Sequence, residues 1–290
     1  MNTLKMDQPI GIFDSGIGGL TVASAISKLL PKERLIYFGD TAHLPYGDKS
    51  PDSIRRYSLA IAKFLESRHC KVILIACNTA SAHAYLTLTK EYGQRLIVMD
   101  VINPVAQYIA DNYQGKKVGV IATKGTVKSN IYKRRIKKIN PAVTVSTLAT
   151  PLLAPMIEEG FFNNNISRAV VSSYLSKKSL HDIHALVLGC THYPLIRKEV
   201  EHFFDNHLNG RTCAIIDSAE CTAYYLKNSL EEHAILSDKK NGVHEFFVSD
   251  YTDSFANCTK LFFGDKVNLQ ESGLWRMIDS NPNISDGSLT

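Results

Sequence analysis

The chain has 290 residues, 44% of them hydrophobic and 21% charged, with a formal net charge of +5. Such a length suits two medium domains or one large one, and the balance is that of a globular protein rather than a disordered or fibrous one. No run approaches the roughly 20 apolar residues of a membrane span, and the opening MNTLKMDQP lacks the layout of a secretory signal, so a cytoplasmic location is expected.

Short apolar runs rich in β-branched residues alternate with amphipathic stretches. Ile10–Phe13 is the first predicted strand, followed by the turn Asp14-Ser15-Gly16-Ile17-Gly18-Gly19 and a helix with Leu20, Ala23, Ile26 and Leu30 on one face. After the strand Leu35–Phe38, Ser50-Pro51 places a capping serine before a first-turn proline, and Ile54, Tyr57, Ile61 and Leu65 fall on one helical face. Val72–Ala76 and Leu96–Met99 are the next strands, and Asn103-Pro104 repeats the capping device ahead of Val105–Ala110. Val118–Ala122, Val143–Leu148, Ala185–Leu188 and Ala214–Ile216 continue the series. The basic run from Lys133 to Lys138 sits late in a predicted helix, where cations favour the dipole; without interleaved aromatics it reads as a solvated face, not a nucleic-acid surface. Val243–Val248 and Lys260–Phe263 are expected to be short strand-like or irregular pieces covering an edge, and the polar tail from Asp279 to fray. Strand runs of this kind suit parallel sheets buried on both faces by helices, an α/β architecture.

The chain also resembles itself. IGIFDSGIGG from Ile10 aligns with VGVIATKGTV from Val118, an offset of 108 residues. Phe38 before LPY aligns with Leu148 before APM (offset 110), ILIACNTA with LVLGCTHY (113), and IVMDVINPVAQYI with AIIDSAECTAYYL (117). Four strand-and-loop units in the same order predict two duplicated lobes, with Cys77 and Cys190 at equivalent strand ends. Ligands of open α/β sheets bind beyond the carboxyl ends of the strands, so facing lobes would present both thiols to one cleft.

The six cysteines, at 70, 77, 190, 213, 221 and 258, match no CxxC pattern and are expected as free thiols, most of them small core residues. Cys77 in ACNTAS and Cys190 in GCTHYP differ, because polar donors follow each into a helix start, a place that lowers a thiol pKa toward neutrality. Inverting a carbon requires a base on one face and an acid on the other, and a thiol/thiolate pair can fill both roles near neutral pH. Asp14 and His192 are the natural managers of protonation for the two cysteines. The turn at Asp14 fits neither dinucleotide nor P-loop spacing, and its aspartate would repel phosphate; a carboxylate held by Ser15 and backbone amides fits better. A cysteine hydrolase using Cys190 and His192 would leave Cys77 unexplained, a dithiol enzyme would hold its pair closer in sequence, and His181 and His184 lack further metal ligands nearby. A two-lobed binding protein that closes on an amino acid without chemistry remains the alternative of another class.

Taken together, IGIFDSGIGGLTV, YFGDTAHLPYG, ACNTAS, IATKGTVKSNIY, LGCTHYPLI and DSAECTA closely resemble the glutamate racemases of the aspartate/glutamate racemase superfamily. The resemblance implies two pseudo-symmetric α/β lobes, the second inserted into the first. The first lobe would be residues 1–100 with 213–270, the second 101–212, and 271–290 a partly disordered tail. It implies racemisation of L- and D-glutamate without metal or pyridoxal phosphate, with an aspartate or broader racemase as the alternative. In the family, the Cys77 thiol would deprotonate D-glutamate with help from Asp14, and the Cys190 thiol L-glutamate with help from His192. Asp14, Ser15, Tyr46, Gly47, Asn78, Thr79, Thr191 and His192 would bind substrate, with Thr123 and Thr126 as further carboxylate contacts. The task implied is D-glutamate supply for bacterial peptidoglycan. Homo-oligomers and regulation by a cell-wall precursor also occur in the family.

Overall fold

The computed structural model describes residues 4–207, 212–239, 242–264 and 268–280. The first half runs β1 (Ile10–Asp14), α1 (Leu20–Leu29), β2 (Leu35–Gly39), α2 (Pro51–Ser67), β3 (Val72–Ile75), α3 (Asn78–Tyr92), β4 (Ile97–Asp100) and α4 (Ile102–Asn112). The second runs β5 (Lys117–Ala122), α5 (Lys124–Lys128), α6 (Ile131–Ile139), β6 (Thr144–Ala149), α7 (Leu153–Glu158), α8 (Asn165–Leu175), β7 (Ala185–Gly189), α9 (Arg197–His207), β8 (Ala214–Asp217) and α10 (Ser218–Glu232). The chain closes with β9 (Glu245–Val248), α11 (Asp253–Phe263), β10 (Asn268–Glu271) and α12 (Leu274–Ser280).

The strands form two sheets, ordered β10-β9-β2-β1-β3-β4 and β6-β5-β7-β8, with every described pairing parallel. The order β2-β1-β3-β4 is repeated as β6-β5-β7-β8, so the duplication read from sequence is visible in the topology, and β9 and β10 extend only the first sheet. Each sheet packs an outer face on its own helices: Phe13, Ile73 and Ile75 lie in one core with α2 residues such as Ile61, and Leu186 and Leu188 in another with Val171 and Val200. The inner faces share a central core that joins Ile12, Leu74, Val120 and Val187 to residues of α1, α4, α6 and α10. Burying both faces explains why the strands read as continuous apolar runs. Among the described residues no helix is long and apolar enough to cross a membrane.

Ser50 caps α2 as its sequence predicts, accepting from Ser53 N at 3.1 Å. Three expectations need correction. Asn103 does not cap α4: the Asp100 carboxylate takes Ile102 N at 3.1 Å and Asn103 N at 2.7 Å, so the helix starts two residues earlier, at Ile102. The strand at Ala214, expected in the first lobe from residue 213, pairs with β7 in the second sheet. The chain returns to the first lobe only at α10, which packs on α1, so the second lobe runs to Asp217. Lys260–Phe263 is helical, because Thr252 caps α11 and Phe255, Cys258 and Phe262 turn toward the central core at helical spacing. Residues 271–280 of the expected tail include α12, which packs Trp275 against Tyr57 and His43. From residue 281 onward the tail lies outside the described residues.

Candidate active site

β3 delivers Cys77 to the carboxyl end of the first sheet, where its sulfur caps α3 by accepting from Ala80 N at 3.5 Å. The thiol is 6% exposed and lies 3.7 Å from Ser15 Oγ, to which it donates. The neighbouring β1 ends in Asp14, fully buried, whose Oδ2 accepts from Gly16 N at 3.1 Å and Gly19 N at 3.0 Å. Burial pushes the Asp14 carboxyl above its usual range, against the pull of His192 and of these amides. Burial, then the Asp14 charge, push the Cys77 thiol well up, with a smaller contribution from Cys190. The expected drop toward neutrality is therefore overturned for Cys77: desolvation and an adjacent acid outweigh the helix start and the two hydrogen bonds.

β7 delivers Cys190, also 6% exposed, to the matching end of the second sheet. Its sulfur is 3.6 Å from His192 Nδ1, and His192 Nε2 lies 3.0 Å from Glu158 Oε1 at the end of α7. Burial alone would lower the imidazole pKa, but hydrogen bonds to Cys190 and Glu158 outweigh it and hold His192 well above its usual value. The halves meet closely here. A Cβ at Gly18 would lie 2.4 Å from Thr191 Oγ1 and 2.7 Å from the His192 ring, so only glycine lets the Asp14 loop reach the opposite lobe. Thr191 Oγ1 reaches Asp14 Oδ1 at 3.5 Å.

The predicted binding residues converge unevenly. Thr79 Oγ1 is 2.9 Å from Thr123 Oγ1 and 3.3 Å from Thr126 Oγ1, a hydroxyl triangle built across the lobes, although Thr123 also caps α5. Gly47 sits against the same Thr123, where a Cβ would come within 3.1 Å of its Cβ. Asn78 is buried with Oδ1 accepting from Tyr132 Oη at 2.6 Å, while its Nδ2 has no partner among the described residues. A buried amide donor left without a partner beside the Cys77 strand end is what a carboxylate ligand would satisfy. The buried Tyr46 hydroxyl donates to Asp40 Oδ2 at 2.6 Å.

Sequence reasoning missed Glu158, Tyr132 and Asp40. The signal for Glu158 was present, since the offset of 110 that aligns LPY with APM sets Glu158 opposite Asp48. Asp40 holds the loop through Tyr46, and its Oδ1 accepts from Ser249 Oγ and Trp275 Nε1, both at 2.8 Å, partners more than 200 residues away that no local pattern announces. Among the described residues no group of three or more His, Cys, Asp or Glu side chains is placed to hold a metal ion.

The profile of the Asp/Glu/Hydantoin racemase family matches residues 18–226. A glutamate racemase of Geobacter metallireducens is 43% identical over 89% of this chain and 93% of its own length. The crystal structure of glutamate racemase from Francisella tularensis in complex with D-glutamate superposes with a TM-score of 0.83 at 38% identity, covering 93% of this chain and 98% of that one. The Escherichia coli glutamate racemase, in complex with L-glutamate and the activator UDP-MurNAc-Ala, superposes with a TM-score of 0.74 at 26% identity, over 91% of this chain and 98% of that one. The chain belongs to the Asp/Glu/Hydantoin racemase family, grouping with its glutamate racemases, and is an isomerase.

Proposed function

We propose that this enzyme interconverts L- and D-glutamate by a two-base mechanism in which Cys77 and Cys190 flank the α-carbon. One observation carries the reading: two buried thiols stand at equivalent strand ends of duplicated sheets, each beside its own proton-handling partner. One cysteine, as thiolate, takes the α-proton from its face of the substrate. The electron pair is held in the α-carboxylate as an enediolate, and the other cysteine, as thiol, returns a proton to the opposite face. Each turnover leaves the two sulfurs with exchanged protonation. Asp14 attends Cys77, and His192, whose pKa Cys190 and Glu158 raise, attends Cys190. Asn78 Nδ2, the hydroxyls of Ser15, Thr79, Thr123, Thr126 and Thr191, and the backbone at Tyr46 and Gly47 bind the two carboxylates and the amino group. Preorganised donors of this kind stabilise charge that develops on the carboxylate. No cofactor takes part in these steps.

The product D-glutamate would serve peptidoglycan synthesis in the cytoplasm, and the activator in the Escherichia coli complex supports control of this enzyme by a cell-wall precursor. The test is to incubate each pure enantiomer in deuterated water and follow optical rotation and α-deuterium uptake. Racemisation with solvent label is expected. Inversion left undiminished in Cys77→Ala or Cys190→Ala would sink the two-thiol mechanism, and glutamate binding without α-exchange in the intact enzyme would reduce the protein to a binder.

A further inference from the structure

The basic helix α6 is read from sequence as a solvated face, and Lys133, Arg134, Lys137 and Lys138 are indeed exposed. Its other side reaches across to the first lobe at two points. Tyr132 Oη donates to Asn78 Oδ1 at 2.6 Å, and Arg135 NH1 donates to Asp100 Oδ2 at 2.5 Å. Residues three apart share a helical face, so one turn of α6 grips both the residue after Cys77 and the end of β4. The other lobe answers in kind: Thr21 of α1 donates its hydroxyl to the Thr191 carbonyl at 3.0 Å, fixing the residue after Cys190. The residue following each cysteine is thus tied by a helix of the opposite lobe.

We infer that Tyr132 is a positioning residue that holds the Asn78 carboxamide so that Nδ2 faces a substrate carboxylate. The inference rests on the reading of Asn78 as substrate-binding. Tyr132 is 2% exposed, and burial, reinforced by Asp100, keeps its hydroxyl protonated and therefore a donor. A phenol proton aimed at Oδ1 commits the amide oxygen inward and leaves both Nδ2 hydrogens for the cleft. The flipped amide would turn its oxygen toward an anion. The recognition of a carboxylate on the Cys77 side then depends on a residue that touches neither substrate nor sulfur.

Tyr132→Phe keeps the ring and removes the one proton that matters. We expect KM for both enantiomers to rise about tenfold, the size of one lost hydrogen bond. The kcat should change less than about threefold and the pH profile should keep its shape, with thermal unfolding and circular dichroism reporting an intact fold. Asn78→Ala should raise KM on its own, and Tyr132→Phe added to it should raise KM no further. A normal KM in Tyr132→Phe beside a raised KM in Asn78→Ala overturns the inference alone, as does an undiminished Tyr132→Phe effect in the Asn78→Ala background. A normal KM in Asn78→Ala overturns the reading of Asn78, and the inference with it.

Discussion

The two cysteines stand at the same place in two copies of one sheet, yet their surroundings are not copies. Cys77 caps a full helix, donates to Ser15, and faces the buried acid Asp14. Cys190 leads into a short turn and faces an imidazole whose pKa the sulfur itself and Glu158 raise. The central strand β5 ends in Ala122 where β1 ends in Asp14, and Glu158 stands where the first lobe has the exposed Asp48. On the proposed mechanism, duplication would supply the approach to both faces of one carbon, and divergence around the thiols the proton inventory. Two like groups near one another resist ionising together, so a pair that, on this proposal, must always hold one proton would be served by unlike neighbours.

The comparison breaks most easily at the sulfurs. Cys77→Ala and Cys190→Ala should each lower racemisation by roughly 10²–10⁴-fold, the range of a general acid–base group. Each should retain solvent exchange at the α-carbon of a single enantiomer, L-glutamate for Cys77→Ala and D-glutamate for Cys190→Ala, readable by proton NMR in deuterated water. Equal exchange of both enantiomers by either variant would refute the division of labour.

The next step separates the partners. The two enantiomers have equal free energies, so any substitution must lower kcat/KM by the same factor in both directions. Asp14→Asn and His192→Gln are each expected to lower it by about 10²-fold, and a rate in one direction cannot tell them apart. An isotope effect can. With α-deuterated substrate, Asp14→Asn should enlarge the effect on kcat for D-glutamate, whose proton goes to Cys77, and His192→Gln the effect for L-glutamate. The same isotope pattern in both variants would mean that the unlike flanks do not serve unlike steps.

Glu158 allows a finer test. Its carboxylate helps hold His192 above the usual imidazole range, so Glu158→Gln should move the alkaline limb of kcat/KM toward acid. The stability sign follows from linkage. A raised folded-state pKa stabilises fully below the unfolded value of about 6.5 and is lost as pH rises through the folded one. Glu158→Gln should therefore unfold at a lower temperature than the parent in neutral and acid buffer, with the gap closing in alkali.

Most of this frame was legible. Buried parallel strands are continuous apolar runs, and because the duplication keeps chain order, four short alignments place both cysteines and the loops beside them. The resemblance named Thr79, Thr123 and Thr126 one by one, but neither their mutual contact nor Tyr132 reaching Asn78 could be read in advance, since helix periodicity fixes a face and not the residue it meets. The Cys77 environment was misjudged for a related reason: a position after a strand and before a helix is visible in sequence, but the desolvation that dominates its proton affinity is a property of the packed whole. The edge strand β8 went to the wrong lobe because a strand's partners are not written in the strand itself.

The smallest expected effect concerns the strand ends Asp100 and Asp217, equivalent in the repeat. Both carboxylates cap the helix that leaves for the other lobe, Asp217 through Ala219 N at 2.8 Å. Only Asp100 is fully buried against an arginine across the lobes; Arg197, near Asp217, pairs with Glu201 and Glu220 at the surface. Arg135→Met should cost about 1–3 kcal/mol, because it strands a buried carboxylate that retains only its two backbone donors. Arg197→Met should cost under about 1 kcal/mol, the usual worth of exposed pairs. Burial pushes the Asp100 carboxyl up and Arg135 opposes it, so removing the arginine raises it further. A carboxyl raised on folding favours the folded state when protonated and loses that advantage as pH rises, so the Arg135→Met deficit should be larger at neutral pH than in mild acid. Thermal unfolding of both variants across that range measures it. Equal, pH-independent deficits would show that the lobes are held together alike at the two strand ends, and that their asymmetry is confined to the thiols.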